Sequence, residues 1–444
     1  MKAVVLGGVA AGMSAASKLK REKPDTEISV YERGSFLSYG ACGLPYYIGG
    51  FNTDPAKLIA RTRQQFEEMG ICTFLRHEAL RLDPAQKRVE IKNHDTGETF
   101  WDSYDALMIA VGSGSVVPRV EGADLPSVFY VKTMEDGLLF ERILRLSSVK
   151  ETVIVGGGYI GLEMAEALLH LGKKVTVLEA AQRLLTPFEP EFSEMAAQEL
   201  ERQGALVRLG ERVTGFSGER DHRVVHTGRG EYRADVVLVS IGVVPATDFL
   251  KDSGLEMARN GAIVVDRQQR ASLPDVFAAG DCATCWHRLA QENYFLPLGT
   301  VANKCGRIAG ANMAGGHEVF EGALGSAAIK VCGLEMARTG LSEADAARLG
   351  IDYATKLVTS QDHPSYYPDP AKLTIKLLYE KRTRRLLGAN IAGAKNAVLR
   401  GNLLATAIHA GMSTEELGMV DLAYAPPFAS VWDAVHIAAN AAKS

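Results

Sequence analysis

A single cysteine, Cys42, lies in the stretch SYGACGLPYY (residues 38–47), and Tyr47 stands where a CxxxxC pair would carry its second thiol. A thiolate is a nucleophile toward disulfides and peroxides, so the partner of this sulfur lies elsewhere in the chain or outside it. In most proteins a lone cysteine is simply a small buried hydrophobe. The nearby glycine-rich runs argue for chemistry instead. Gly7-Gly8-Val9-Ala10-Ala11-Gly12 fits GxxxxG, with Gly8 in place of the usual middle glycine at position 9, and Gly156-Gly157-Gly158-Tyr159-Ile160-Gly161 is a complete GxGxxG. Such loops let backbone approach a pyrophosphate at a helix N-terminus.

The elements that must position these loops are legible on both sides of each. KAVVLGG (2–8) reads as a buried parallel strand entering a turn, MSAASKLKRE has helical spacing, and EISVYE ends a second strand at Glu32, 25 residues past Gly7. The pattern recurs as ETVIVGGG, the helix LEMAEALLHLG, and KKVTVLE ending at Glu179, 23 residues past Gly156. Each terminal carboxylate is placed to accept a ribose hydroxyl. Two complete fingerprints imply two dinucleotides. Glu179 favours a free 2'-hydroxyl, hence NADH over NADPH, and Arg183 nearby softens that preference. DALMIAVGS (105–113), with its turn at Gly112, and DVFAAGDCA (275–283), ending at Asp281, look like returns to the first site. The second unit is therefore expected to be inserted within the first, with SIGVVP (240–245) as the return point.

Length and composition agree with a multidomain globular enzyme. The chain has 444 residues, enough for two or three cored domains, and a formal charge of -4 gives no electrostatic case for nucleic acid. No apolar run is long enough to span a membrane, and MKAVVLGG opens into a strand, without the pattern of a secretory signal. The six scattered cysteines are no disulfide framework. The expected setting is the cytoplasm.

The ordered set GGVAAG, Glu32, AVGS, GGGYIG, IGVVP and AAGDCA resembles the FAD-dependent pyridine nucleotide-disulfide oxidoreductases over essentially the whole chain. The fold implied is α/β, with two Rossmann-like dinucleotide-binding domains, one inserted in the other, and a C-terminal α+β dimerisation domain. The resemblance implies FAD on residues 1–112 and 245–320, NADH or NADPH on 113–244, and a homodimer formed through 321–444. To Gly7, Gly8, Ala10, Ala11, Gly12 and Glu32 the cofactor set adds Arg33, Ser38, Ala110, Gly112, Gly280, Asp281 and Ala302. The NAD(P)H side takes Gly156, Gly158, Tyr159, Ile160, Gly161, Glu163, Glu179 and Gly242.

Cys42 selects the branch. SYGACGLPYYIGG is most similar to coenzyme A-disulfide reductases, in which this cysteine forms a mixed disulfide with CoA. NADH oxidases and peroxidases of the same branch carry a histidine in the first loop where this chain has Ala10. The alternatives are an oxidase or peroxidase cycling Cys42 through sulfenic acid, or a redox-sensing flavoprotein. HPSYYPD, with Tyr366 and Tyr367, and LAYAPPFASVWD, with Tyr424, resemble the YYPG and AYAPP segments whose tyrosines reach the partner subunit's cysteine; Asp369 replaces the glycine. In an extended segment one of Tyr366 and Tyr367 would face inward. Lys18, Arg21, Arg61, Arg63, Asn303, Lys304 and Arg307 are candidates for holding CoA phosphates. The CxxC of Cys282 and Cys285 is read as coincidence, and no metal site is expected.

Overall fold

The computed structural model describes residues 1–219 and 222–442. The chain divides into two compact units, one of 1–118, 129–147 and 241–323, the other of 119–128, 148–240 and 324–444.

The first unit is built on a parallel sheet in the order Val276–Ala278, Ala106–Ile109, Lys2–Leu6, Glu27–Glu32, Cys72–Leu75. Side chains alternate across a strand, and here both faces are apolar. Ala3, Val5, Ile28, Val30 and Met108 enter one core, packed with helices Ala10–Glu22 and Gly299–Met313. Val4, Leu6, Tyr31, Leu107 and Ile109 enter the other, beside the antiparallel meander of 77–103. The two helices pack backbone to backbone. A Cβ on Gly306 would strike the Ala11 carbonyl and one on Gly310 that of Ala15, so small residues set this approach. The chain returns to the first sheet at 276–278 as expected, after an antiparallel crossing of Ser113–Ser115 with Val243–Pro245.

The second unit repeats the parallel arrangement as Leu206–Leu209, Lys174–Glu179, Glu151–Val155 and Val236–Val239, with helix Tyr159–His170 following the second loop. Its C-terminal part is an antiparallel five-stranded sheet, ordered Ala327–Val331, Leu334–Gly340, Leu386–Gly393, Lys372–Glu380, Tyr353–Gln361. Helices Ala397–Ala410 and Ala434–Ala441 pack against it. The α/β class with two Rossmann-like sheets and an α+β end is as expected from sequence. No helix among the described residues is long and apolar enough to cross a membrane.

Candidate active site

Gly7 turns the chain out of the first strand at φ +99, and a Cβ there would enter the Ala110 carbonyl. A Cβ on Gly12 would enter the carbonyl of Gly7. The Glu32 carboxylate accepts the N–H of Gly8 and that of Gly34, each at 2.7 Å, and Gly8 O accepts from Ser38 N–H at 2.8 Å. Burial pushes the Glu32 carboxyl above its ordinary value, against those hydrogen bonds. Gly280 (φ +86) is placed so that a Cβ would lie 3.1 Å from Ala11 Cβ and 3.7 Å from Ala302 Cβ. Loop, strand end and the second helix therefore converge. At the next residue, Asp281 Oδ2 accepts from Ser113 Oγ at 2.9 Å and from Lys132 Nζ at 3.1 Å. Gly112 (φ +69) has open space around its missing Cβ. A cavity of about 210 Å³ is lined by Glu32, Arg33, Tyr39, Arg76 and Glu135. Another of about 580 Å³, bounded by Val265, Arg267, Trp286 and Asn293, contains none of these groups.

Cys42 is exposed on the turn Ala41–Gly43, which runs into helix Leu44–Ile48. Leu44 seats that helix by packing where Gly137 has no side chain, and Gly40 N–H bonds to Leu58 O at 2.8 Å. Tyr47, at the position of the second thiol in a CxxxxC pair, is buried in the same helix.

In the second unit Gly156 (φ +111) and Gly161 repeat the first loop's geometry, a Cβ on Gly161 striking the Gly156 carbonyl. Glu179 accepts from Gly157 N–H at 2.6 Å and from Ala181 N–H at 2.7 Å. Gly158 and half-buried Ile160 complete the loop, Gly158 with nothing within 4 Å of a built Cβ. The Tyr159 hydroxyl is buried with no hydrogen-bond partner among the described residues, and burial lifts its pKa to about 12. One turn on, burial pushes the Glu163 carboxyl up to about 7, aided by Glu166. Arg183 donates to Thr186 O at 3.0 Å.

The tyrosine segments meet within the second unit. Tyr366 and Tyr424 join hydroxyl to hydroxyl at 2.9 Å, and both rings are exposed. Residues 362–369 form turns, not an extended strand, so adjacency does not alternate the side chains. Tyr367 packs edge-on against His363 at 5.5 Å instead. Asp369 takes φ +58, the left-handed conformation that a glycine would supply.

Residues 1–296 match the pyridine nucleotide-disulphide oxidoreductase model and 326–435 match the dimerisation domain of the same enzymes. The chain belongs to the pyridine nucleotide-disulphide oxidoreductases. It is 35% identical to an NAD(P)H coenzyme A polysulfide/persulfide reductase of Pyrococcus horikoshii, across 100% of this chain and 98% of that one. It is 31% identical to an NADH oxidase of Enterococcus faecalis, across 100% and 99%. A solved NAD-dependent persulfide reductase from A. fulgidus superposes with a TM-score of 0.96 at 34% identity, covering 100% of this chain and 83% of that one.

Oxidoreductases of this family use FAD and NAD(P)H. Both loops fit such groups: their last glycines, Gly12 and Gly161, leave no room for a Cβ, and each loop has a carboxylate clamped at the following strand end. Sequence reasoning missed Ser113, Lys132 and Glu135. Lys132 and Glu135 lie in the segment 129–147, which clusters with the first unit although it falls inside the 113–244 span expected for NAD(P)H. No motif marked it; only the capping box at Thr133 would have located the helix that follows.

The candidate phosphate ligands divide. Asn303 accepts from Ser14 Oγ at 2.7 Å, and Lys304 and Arg307 are exposed on the same helix, with Arg21 exposed on helix Ala10–Glu22. Lys18 is buried, its ammonium held by Glu22 at 2.6 Å and Glu318 at 3.3 Å. Arg63 pairs with Glu67 at 2.7 Å, and Arg61 lies 5.8 Å over the Phe66 ring. Arg33 reaches Glu78 at 3.6 Å, and Gly242 (φ +122) receives Val116 N–H on its carbonyl. Cys282 and Cys285 belong to opposite cores, so the CxxC spacing makes no site. No metal-binding cluster occurs among the described residues.

Proposed function

We propose that this oxidoreductase reduces coenzyme A disulfide, or a related CoA persulfide or polysulfide, at the expense of NAD(P)H. The observation that carries the reading is Cys42, an exposed thiol on a helix-leading turn whose CxxxxC partner position is a buried tyrosine. In this reading the first unit holds FAD through Gly7, Gly12, Glu32 and Asp281. The second loop, with Glu179, holds NAD(P)H. The sheet of the dimerisation domain brings the tyrosine pair of one subunit to Cys42 of the other.

The Cys42 thiolate attacks one sulfur of the substrate disulfide. A bond forms between Sγ and that sulfur, and the other half leaves as a thiolate. The Tyr366–Tyr424 pair stands ready to donate the proton that this thiolate takes. A phenol is protonated at neutral pH in any case, and the hydrogen bond to Tyr424 raises the Tyr366 pKa further. Bound FAD supplies the two-electron link from NAD(P)H to the mixed disulfide, whose cleavage restores the Cys42 thiolate and frees the second thiol. The basic residues Arg21, Lys304 and Arg307, with Asn303, are suited to the phosphates of CoA.

The oxidase reading has support in the relatives named NADH oxidase. Against it, Ala10 opens the first helix with a methyl group, where the resembled oxidases and peroxidases carry a histidine. The test is anaerobic oxidation of NADH with coenzyme A disulfide, beside intact-mass measurement before and after dithiothreitol. Turnover that C42S abolishes, with a reducible adduct of one CoA on Cys42, is expected. No disulfide turnover anaerobically, with rapid oxygen consumption when the same enzyme and NADH are assayed in air, would sink the proposal and establish the oxidase.

A further inference from the structure

Resting on that reading of the tyrosines, we propose that Arg400 is the positioning residue of the Tyr366–Tyr424 pair. Tyr366 and Tyr424 sit on separate segments, 362–371 and 418–433, that contain almost no regular structure. No strand ladder fixes these segments against each other, so their hydroxyl contact depends on side chains that tie one to the other. Arg400, in the first turn of helix Ala397–Ala410, bonds to both. Its Nη2 donates to the Asp362 carbonyl at 2.9 Å, at the base of the Tyr366 turn, and to the Phe428 carbonyl at 3.2 Å, four residues past Tyr424. Nε bonds to both oxygens of Asp433 at 3.1 and 3.0 Å, and the same Nη2 also reaches Asp433 Oδ2 at 2.6 Å, so its two hydrogens are shared among three acceptors.

The chemistry needs an arginine here. The guanidinium and its carboxylate are both buried, and such charges are tolerated only when their hydrogen bonds are filled. A planar fork serves one carboxylate and two carbonyls in fixed directions, whereas an ammonium on a flexible stem does not hold that geometry. The supports around it are local. Asp362 also accepts Ala371 N–H at 2.7 Å and Asn396 Nδ2 at 3.3 Å, and His363 Nε2 meets Pro368 O at 3.0 Å, closing the turn that displays Tyr366. Asp433 in turn caps helix Ala434–Ala441 through Val435 N–H. Arg400 touches no reacting atom. Its effect on the reaction passes through where the two hydroxyls stand.

A double-mutant cycle with R400K and the pair variant Y366F/Y424F tests this. Turnover with coenzyme A disulfide is divided by the rate of flavin bleaching by NADH in the same preparation, and dimer content and melting temperature are recorded. Misplacing a catalytic group by about 1 Å costs up to about 100-fold, so R400K is expected to lower kcat about 10- to 100-fold, with KM little changed. In the Y366F/Y424F background R400K should cost nothing further. Losses that multiply in the combined variant overturn the role of Arg400 while leaving the tyrosines in place. A Y366F/Y424F enzyme with full turnover overturns the tyrosine reading, and the inference with it. If R400K does not fold as a dimer, D433N enters the same cycle and decides by the same outcomes.

Discussion

The two glycine loops make the same hydrogen bonds and differ in the side chains between them. Glu32 gathers the N–H groups of Gly8 and Gly34; Glu179 gathers those of Gly157 and Ala181. The outer glycines of both loops are demanded by the protein itself, since a Cβ on Gly12 or Gly161 meets a carbonyl of its own loop. At the middle position the loops part. Val9 caps the first helix, whereas Gly158, at φ -83, caps the second with open space around a missing Cβ. No described protein atom fills the space of a Cβ at 158, which leaves room for the close approach of a ligand. Past the loops the contrast widens. Ser14 bonds to Asn303 on a tightly packed helix, whereas its counterpart Glu163 is half-buried with a raised pKa, one turn from Tyr159. The same motif puts an uncharged, close-packed serine at this helix position in one unit. In the other it builds a wall whose charge responds to pH.

The outer glycines test the shared half of that comparison and carry the largest effects. G12A should purify depleted of FAD, read as flavin absorbance per protein. G161A should lower kcat/KM for NADH at least about 100-fold, equivalent to about 3 kcal/mol. A G161A enzyme with wild-type kinetics would show that the second loop can relax where the first cannot.

Glu163 tests the difference. A carboxyl whose folded pKa lies above its unfolded value of 4.5 favours folding while protonated. That contribution is complete below the unfolded pKa and is lost as pH rises through about 7. E163Q stays neutral throughout. Its stability relative to wild type should therefore grow across this window by up to about 3 kcal/mol and then level off. Denaturant unfolding at both ends of the window measures it, with S14A as the pH-insensitive counterpart. A flat difference would mean that solvent reaches Glu163.

Much of this was legible in the sequence, because it repeats at fixed spacing. Strand, glycine loop, helix and terminal glutamate are local, and both copies fold as their periodicity implies. The return of the chain at 276–278 could be read from an apolar run ending in Gly280-Asp281. What escaped is built from tertiary contact. Lys132 reaches Asp281 across 149 residues with no motif of its own. The choice between Tyr366 and Tyr367 turned on strand alternation, and the segment folds as turns in which the Tyr424 hydroxyl and the His363 ring sort the two tyrosines. Asp369 in place of glycine looked like a departure, yet it adopts a left-handed backbone of the kind glycine favours, which aspartate tolerates better than most residues.

The smallest effects belong to the middle position, where the loops differ by one side chain. In G158A the new methyl meets no protein atom, so melting temperature should hold while KM for NADH rises about 10-fold, or about 1.4 kcal/mol. An unchanged KM would mean that the coenzyme never comes close to this backbone, and that the glycine has no ligand to explain it. The reciprocal change, V9G, gives the first loop the middle glycine of the second. Glycine is accepted at a helix N-cap, and its added freedom in the unfolded chain should cost only about 0.5–1 kcal/mol. Flavin content should not change. If V9G instead tightened flavin retention, Val9 would be an obstacle that the first loop tolerates, and the two loops would be nearer to one design than their side chains suggest.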